Sequence, residues 1–211
     1  MLLHHWVEYM IDKDTKIFGS FSANPGNNGC KFFNKKFNSN GLNAIYKSFY
    51  SDDIVSSIQA AITLGFSGFA VSMPFKTEII QHLDKLDDSV KEIGACNTVI
   101  IYDNKLHGYN TDWLGVYKYL LKNKITSLSI YGNGGFSKAI QYACTKLKIE
   151  YEVIKRSNWN QIPKYKNAFN ATPIKIEHEN LIDGRPHTVT GIIIAKLQAN
   201  EQYKLYTNEL S

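Results

Sequence analysis

The chain has 211 residues, 44% apolar and 20% charged, with a formal net charge of +5. That composition suits one large or two small globular domains with real cores. It excludes repeat and low-complexity proteins, and no apolar run approaches the roughly 20 residues of a membrane span. The lysines are scattered, so they read as a solvated surface rather than a nucleic-acid interface, although a mild positive field suits an anionic substrate or a phosphorylated cofactor.

Residues 1–10 carry His4, His5, Trp6 and Glu8 without a basic segment and long apolar stretch, so no signal peptide is expected. The adjacent histidines read as incidental rather than as a metal site. Cys30, Cys96 and Cys144 are odd in number, widely spaced and without metal-ligand spacing, which points to a reducing, cytoplasmic setting. Lys16-Ile17-Phe18-Gly19 predicts a strand, and residues 22–29, rich in Asn, Gly and Ser, a loop. Residues 31–37 read as helical and 44–49 as extended. Asp52-Asp53 offers an N-cap to the helical spacing Ile54, Val55, Ile58, Ala61, Ile62, which Gly65 stops. Residues 68–73 form a short buried strand, and Pro74 is placed to launch a helix over 75–83. Two runs, 99–102 and 106–109, flank Asp103-Asn104 as a hairpin. Thr111 is expected to cap a helix with Leu114, Tyr117, Leu120 and Leu121 on one face, a candidate bridge between two lobes. Strands follow at 128–131, 151–154 and 168–169, and residues 191–205 read as a final amphipathic helix. This alternation predicts an α/β protein with largely parallel sheets.

Between the strand at 128–131 and the helical spacing Ala139, Ile140, Ala143, Leu147 lies Gly132-Asn133-Gly134-Gly135-Phe136-Ser137. Strand, glycine turn and helix in that order suit a dinucleotide: glycines let the backbone approach a pyrophosphate, and the helix start supplies free N–H groups. Taken alone, such a turn equally well only joins a strand to a helix.

Four further segments accompany it: Val71-Ser72-Met73-Pro74-Phe75-Lys76, Gly94-Ala95-Cys96-Asn97-Thr98-Val99, Gly108-Tyr109-Asn110-Thr111-Asp112 and Asn170-Ala171-Thr172-Pro173. In this order and spacing, with Gly191 to Ala199 at the end, the chain resembles the shikimate dehydrogenase family over most of residues 16–206. The resemblance implies two lobes: an open, mainly parallel α/β substrate domain (1–112) and a shortened Rossmann-like NADP-binding domain (113–190), with a C-terminal helix (191–211) returning to the first. It gives Lys76 and Asp112 the catalytic role, Lys76 exchanging the proton and Asp112 orienting it. It makes Ser72, Asn97 and Gln198 substrate ligands, amides suiting a polyol because they both donate and accept. At the end of the second strand of the nucleotide lobe, Lys155-Arg156-Ser157 resembles the family's NADP motif, a basic residue accommodating a 2′-phosphate. The cofactor set is then Gly132, Asn133, Gly134, Gly135, Phe136, Ser137, Arg156, Ser157 and Thr172.

The implied activity is NADP-dependent reduction of 3-dehydroshikimate, or a related cyclic polyol carboxylate, to shikimate. The implied protein is a cytoplasmic monomer or homodimer with no metal, nucleic acid or membrane partner. The chain departs from the family pattern in three places. Asn27-Asn28-Gly29 stands where the family has a Ser-x-Ser pair for the substrate carboxylate, Ser20 and Ser22 falling earlier. Ala70 replaces an asparagine. The second lobe is short, expected to hold a βαβ unit plus one strand. These departures support a second reading, a shortened relative that binds a metabolite or nucleotide as a sensor or accessory protein without hydride transfer.

Overall fold

The computed structural model describes residues 11–207; His4 and His5 lie outside them. In chain order the elements are β1 (Lys16–Ser22), α1 (Asn28–Ser39), β2 (Ala44–Tyr50), α2 (Ile54–Thr63), β3 (Phe66–Val71), β4 (Lys85–Leu86), α3 (Asp88–Ile93), β5 (Thr98–Tyr102), β6 (Lys105–Tyr109), α4 (Asp112–Lys122), β7 (Ser127–Tyr131), α5 (Gly135–Leu147), β8 (Glu150–Ile154), β9 (Ala168–Asn170), β10 (Leu181–Asp183) and α6 (Val189–Tyr206). They build two sheets, β2-β1-β3-β5-β6-β4 and β10-β9-β7-β8. The second is parallel throughout. In the first, only the pairings of β5 with β3 and β6 are antiparallel. Each lobe has its own core, around Phe21, Ile54, Phe69 and Val99 in the first and around Leu128, Ile130, Ile140 and Phe169 in the second.

Local chemistry explains most boundaries. The Asp53 carboxylate accepts from the Val55 and Ser56 N–H groups and starts α2, and Gly65 leaves it with φ +68°. Asp103 and Asn104 both take positive φ (51° and 55°), the geometry of a two-residue hairpin between β5 and β6.

Four expectations need correction. Pro74 does not launch a helix: residues 74–77 turn, and only Glu78–His82 coil, as a 3₁₀ helix. The Lys76 carbonyl instead accepts from the Cys96 N–H (2.7 Å), which ties this turn to the segment before β5. At α4, Thr111 occupies the cap position without a side-chain cap bond; the Asn110 side-chain oxygen accepts from Asp112 N (3.1 Å) instead. The second sheet has four strands rather than three. β10 is only three residues long, too short for periodicity to reveal, and exists through its pairing with β9.

The C-terminal helix, finally, is not amphipathic. Ile194 joins Val116 and Leu120 in the second core, while Tyr203 and Tyr206 pack with Phe18, Phe33, Phe37 and Tyr46 in the first lobe. A helix that crosses from one core to another buries different faces along its length. It lies against α4, and a Cβ on Gly115 would come within 2.8 Å of Gln198 Cβ and the Ile194 carbonyl oxygen. The bridge between lobes is therefore a helix pair rather than α4 alone. Among the described residues no helix is long and apolar enough to cross a membrane.

Candidate active site

A cavity of about 640 Å³ opens at the C-terminal ends of β1 and β3, beneath α1 and α6. This is where open α/β sheets place their ligands. Lys76 and Asp112 lie on its wall, with Lys76 Nζ 2.6 Å from Asp112 Oδ2 and both side chains mostly buried. Two backbone contacts set the pair: the Cys96–Lys76 bond ties residue 76 to the segment before β5, and Asn110 caps the helix that Asp112 begins.

Asn97 organises the rest. Its Nδ2 donates to Asp112 Oδ1 (2.8 Å) and Thr111 Oγ1 (3.0 Å), and its Oδ1 accepts from Thr111 N (2.7 Å) and Thr98 Oγ1 (2.9 Å). Both carboxylate oxygens of Asp112 are thus occupied, one by an ammonium and one by an amide, which fixes the carboxylate plane. From α6, Gln198 Nε2 donates to Thr111 Oγ1 (2.7 Å), and Gln202 Nε2 donates to Thr98 Oγ1 (2.8 Å). Lys76, Asp112, Ser72, Asn97 and Gln198 all line the one cavity. Sequence reasoning passed over Thr111, Thr98 and Gln202. The sequence offers Thr111 only as a cap, and a buried polar position on a helix carries no local signature.

The same cavity is lined by Ser20, Ser22 and Ser48. Ser20 and Ser22 belong to β1 itself, not to the loop after it. Asn27 sits at the N-cap position of α1 without a side-chain cap bond, and Asn28 and Gly29 lie in its first turn. A Cβ at Gly29 would meet Tyr46 Cε1 at 3.0 Å, so the space a serine side chain would take there holds the Tyr46 ring. Buried Cys96 and Cys144 are free thiols whose pKa values burial pushes up to about 12, leaving them protonated and inert.

In the second lobe, Gly132 has φ +108°, and a Cβ there would come within 2.9 Å of Thr172 Cγ2. The glycine lets the turn after β7 lie against the end of β9. Asn133 and Gly134 are exposed, nothing would obstruct a Cβ at Gly134, and α5 begins without a side-chain cap. Ser137 and Phe136 face inward: Ser137 Oγ donates to the Gly132 carbonyl (2.8 Å), and Phe136 packs edge-on to Phe169. Arg156 and Ser157 are exposed just past β8, with the Arg156 guanidinium 5.8 Å from the centre of the Trp159 ring. Thr172 bonds Asn170 Oδ1 (2.7 Å).

Residues 29–99 match the family described as the shikimate dehydrogenase substrate binding domain. A shikimate dehydrogenase-like protein of Haemophilus influenzae is 39% identical over 134 residues, 62% of this chain and 49% of that one. The chain is similar to the shikimate dehydrogenase family. An Aquifex aeolicus member named shikimate dehydrogenase (NADP(+)) is 36% identical over 149 residues, 65% of this chain and 54% of the relative. In sequence the chain thus spans about half the length of these relatives. The structural likeness reaches further: a solved shikimate 5-dehydrogenase-like protein superposes with a TM-score of 0.79 at 28% identity, covering 94% of each chain.

Proposed function

We propose that the chain is an NADP-dependent oxidoreductase that interconverts a ring ketone and the corresponding alcohol on a cyclic polyol carboxylate, 3-dehydroshikimate and shikimate in the first instance. The observation that carries this reading is the Lys76–Asp112 ion pair on the wall of the cavity at the sheet's C-terminal edge. In this reading the substrate domain runs up to residue 112, the shortened nucleotide domain spans 113–190, and α6 is the helix that returns to the first lobe. In the reductive direction, the Lys76 ammonium gives a proton to the ketone oxygen as negative charge develops there. Asp112 holds that ammonium in place and accepts from an adjacent ring hydroxyl. Asn97 fixes the carboxylate, and Ser72 and Gln198 supply further polar contacts.

The residues of the second lobe fit a dinucleotide: an open glycine turn, an uncapped helix start and an exposed guanidinium at the end of the second strand. Gly132 to Ser137 would receive the pyrophosphate, Arg156 and Ser157 the 2′-phosphate, and Thr172 the nicotinamide side. When bound, NADPH supplies the hydride. The name of the Aquifex relative supports both cofactor and substrate.

A steady-state assay of NADPH oxidation with 3-dehydroshikimate tests the reading. Turnover that Lys76→Ala abolishes supports it. Tight binding of NADPH and shikimate without turnover favours the sensor reading, and no binding of either overturns both.

A further inference from the structure

We infer that Asp183 and Arg185 are positioning residues, an ion pair that holds the Thr172 turn and the start of α6 in one fixed relation. The inference rests on the oxidoreductase reading above, in which Thr172 takes the nicotinamide side of the cofactor and α6 carries Gln198 to the substrate. Between β9 and α6 the chain has only the three residues of β10, so little regular structure sets that relation. A side-chain network sets it instead.

Asn170, at the end of β9 and fully buried, is one end of the network. Its Oδ1 accepts from Thr172 N (2.9 Å) and Thr172 Oγ1 (2.7 Å). Its Nδ2 donates to Asp183 Oδ1 (3.3 Å) and to the Ile174 carbonyl (2.8 Å). Asp183, the last residue of β10 and 9% exposed, takes the Arg185 guanidinium on both oxygens, Nε on Oδ1 (3.1 Å) and Nη2 on Oδ2 (2.6 Å). Burial alone would push the Asp183 carboxyl up; Arg185 and Asn170 outweigh it and hold it below its ordinary value. A charged fork of this kind fixes orientation as well as distance.

The other end is α6. The Asp183 carbonyl accepts from Thr188 Oγ1 and Thr190 Oγ1 (both 2.7 Å), and Thr190 Oγ1 accepts from Asp183 N (2.8 Å). The Arg185 carbonyl accepts from the N–H of Thr188 (3.1 Å), the N-cap residue of α6, and a side chain at Gly191 would collide with that carbonyl. Pro186, the next residue, lines the cavity that holds Lys76, as do Ile192, Ala195 and Gln198 of α6. Asp183 and Arg185 do not line it. They act through Thr172 and α6, and so set how the cofactor side of the second lobe faces the substrate wall.

The test compares wild type, Arg185→Ala, Asp183→Asn and Arg185→Lys in the full chain, well below the wild-type melting point, with folding followed by circular dichroism. Without cofactor, Arg185→Ala should speed amide hydrogen exchange about tenfold at Thr172 and Gly191, whose N–H groups bond Asn170 Oδ1 and Thr188 Oγ1. Leu128 and Ile130 in the second core should exchange as in wild type. With cofactor, the single-turnover rate of hydride transfer to 3-dehydroshikimate should fall about tenfold to a hundredfold, with NADPH and shikimate affinities within about threefold of wild type. Asp183→Asn, which keeps the shape, should behave likewise, and Arg185→Lys, which keeps the charge without the fork, should lose less. Unchanged exchange at Thr172 and Gly191 overturns the tie. Faster exchange with a full hydride rate overturns the positioning role, as does a loss seen only as weaker binding. Failure of both Arg185→Ala and Asp183→Asn to fold would make the pair a stability element alone and overturns that role too. If the exchange result holds but wild type turns nothing over, the tie stands and the oxidoreductase reading falls.

Discussion

In the first lobe, the polar groups around Lys76 and Asp112 are already bonded to one another. In the second, Asn133, Gly134, Arg156 and Ser157 stand in solvent. The first lobe has spent its ordering entropy during folding, so the geometry around the ion pair is set without a ligand. The second has ordered only the inner half of its turn, through Ser137, Phe136 and the contact of Gly132 with Thr172. Its outer half is left for the ligand to organise. Substitutions in the first lobe should therefore alter chemistry or stability, and those at the rim of the second should alter cofactor affinity alone.

The largest break is expected at the ion pair. Lys76→Ala should lower kcat for dehydroshikimate reduction by about 10²–10⁴ with NADPH affinity unchanged, a split that single-turnover kinetics and cofactor titration would reveal. Asn97→Ala removes the amide that serves Thr111, Thr98 and Asp112 from a residue 4% exposed. Thermal or denaturant unfolding should show a loss of about 2–4 kcal/mol. Gly115→Ala pushes α4 from α6 where the backbones touch, and should cost about 1–3 kcal/mol. Because those helices join the lobes, kcat should fall with it. Arg156→Ala should weaken NADPH about tenfold, about 1.4 kcal/mol, leaving NADH binding and Tm unmoved. A variant that weakens both cofactors equally would place Arg156 on the adenine rather than the 2′-phosphate.

The smallest effect concerns the bridge between lobes. Burial pushes the Glu201 carboxyl up, but Lys118 and Lys204 together outweigh it and hold it below its ordinary 4.5. A lowered carboxyl stabilises the fold above its unfolded pKa, and that contribution is lost as pH falls through the folded value. Glu201→Gln should therefore melt about 2–4 °C below wild type at pH 7, about 1 kcal/mol. The gap should close below about pH 4.5.

Much of this arrangement is legible along the chain. Asp53, the Asp103-Asn104 turn, Gly65 and the glycine turn after β7 act over a few residues, so their effects follow from local chemistry. The five segments around Lys76, Asn97, Asp112, Gly132 and Thr172 likewise pointed to one family. What stayed hidden depends on distant partners. Where a helix is expected after Pro74, the chain turns instead and the Lys76 carbonyl accepts from Cys96, twenty residues on. β10 exists through β9, and the apolar pattern of α6 is blurred because it serves two cores. Ser20 and Ser22 looked like loop residues short of the expected pair until β1 was seen to carry them into the cavity.

By itself, then, the sequence determined the α/β class, the resemblance to one family and the identity of the ion-paired residues, because capping, turn chemistry and motif patterns are carried by local residues. Only the tertiary structure decided which hydroxyls face the cavity, where the helix after β3 yields to a turn and how the lobes are joined. Those outcomes depend on which backbone groups and side chains meet across the sheet and along the α4–α6 contact.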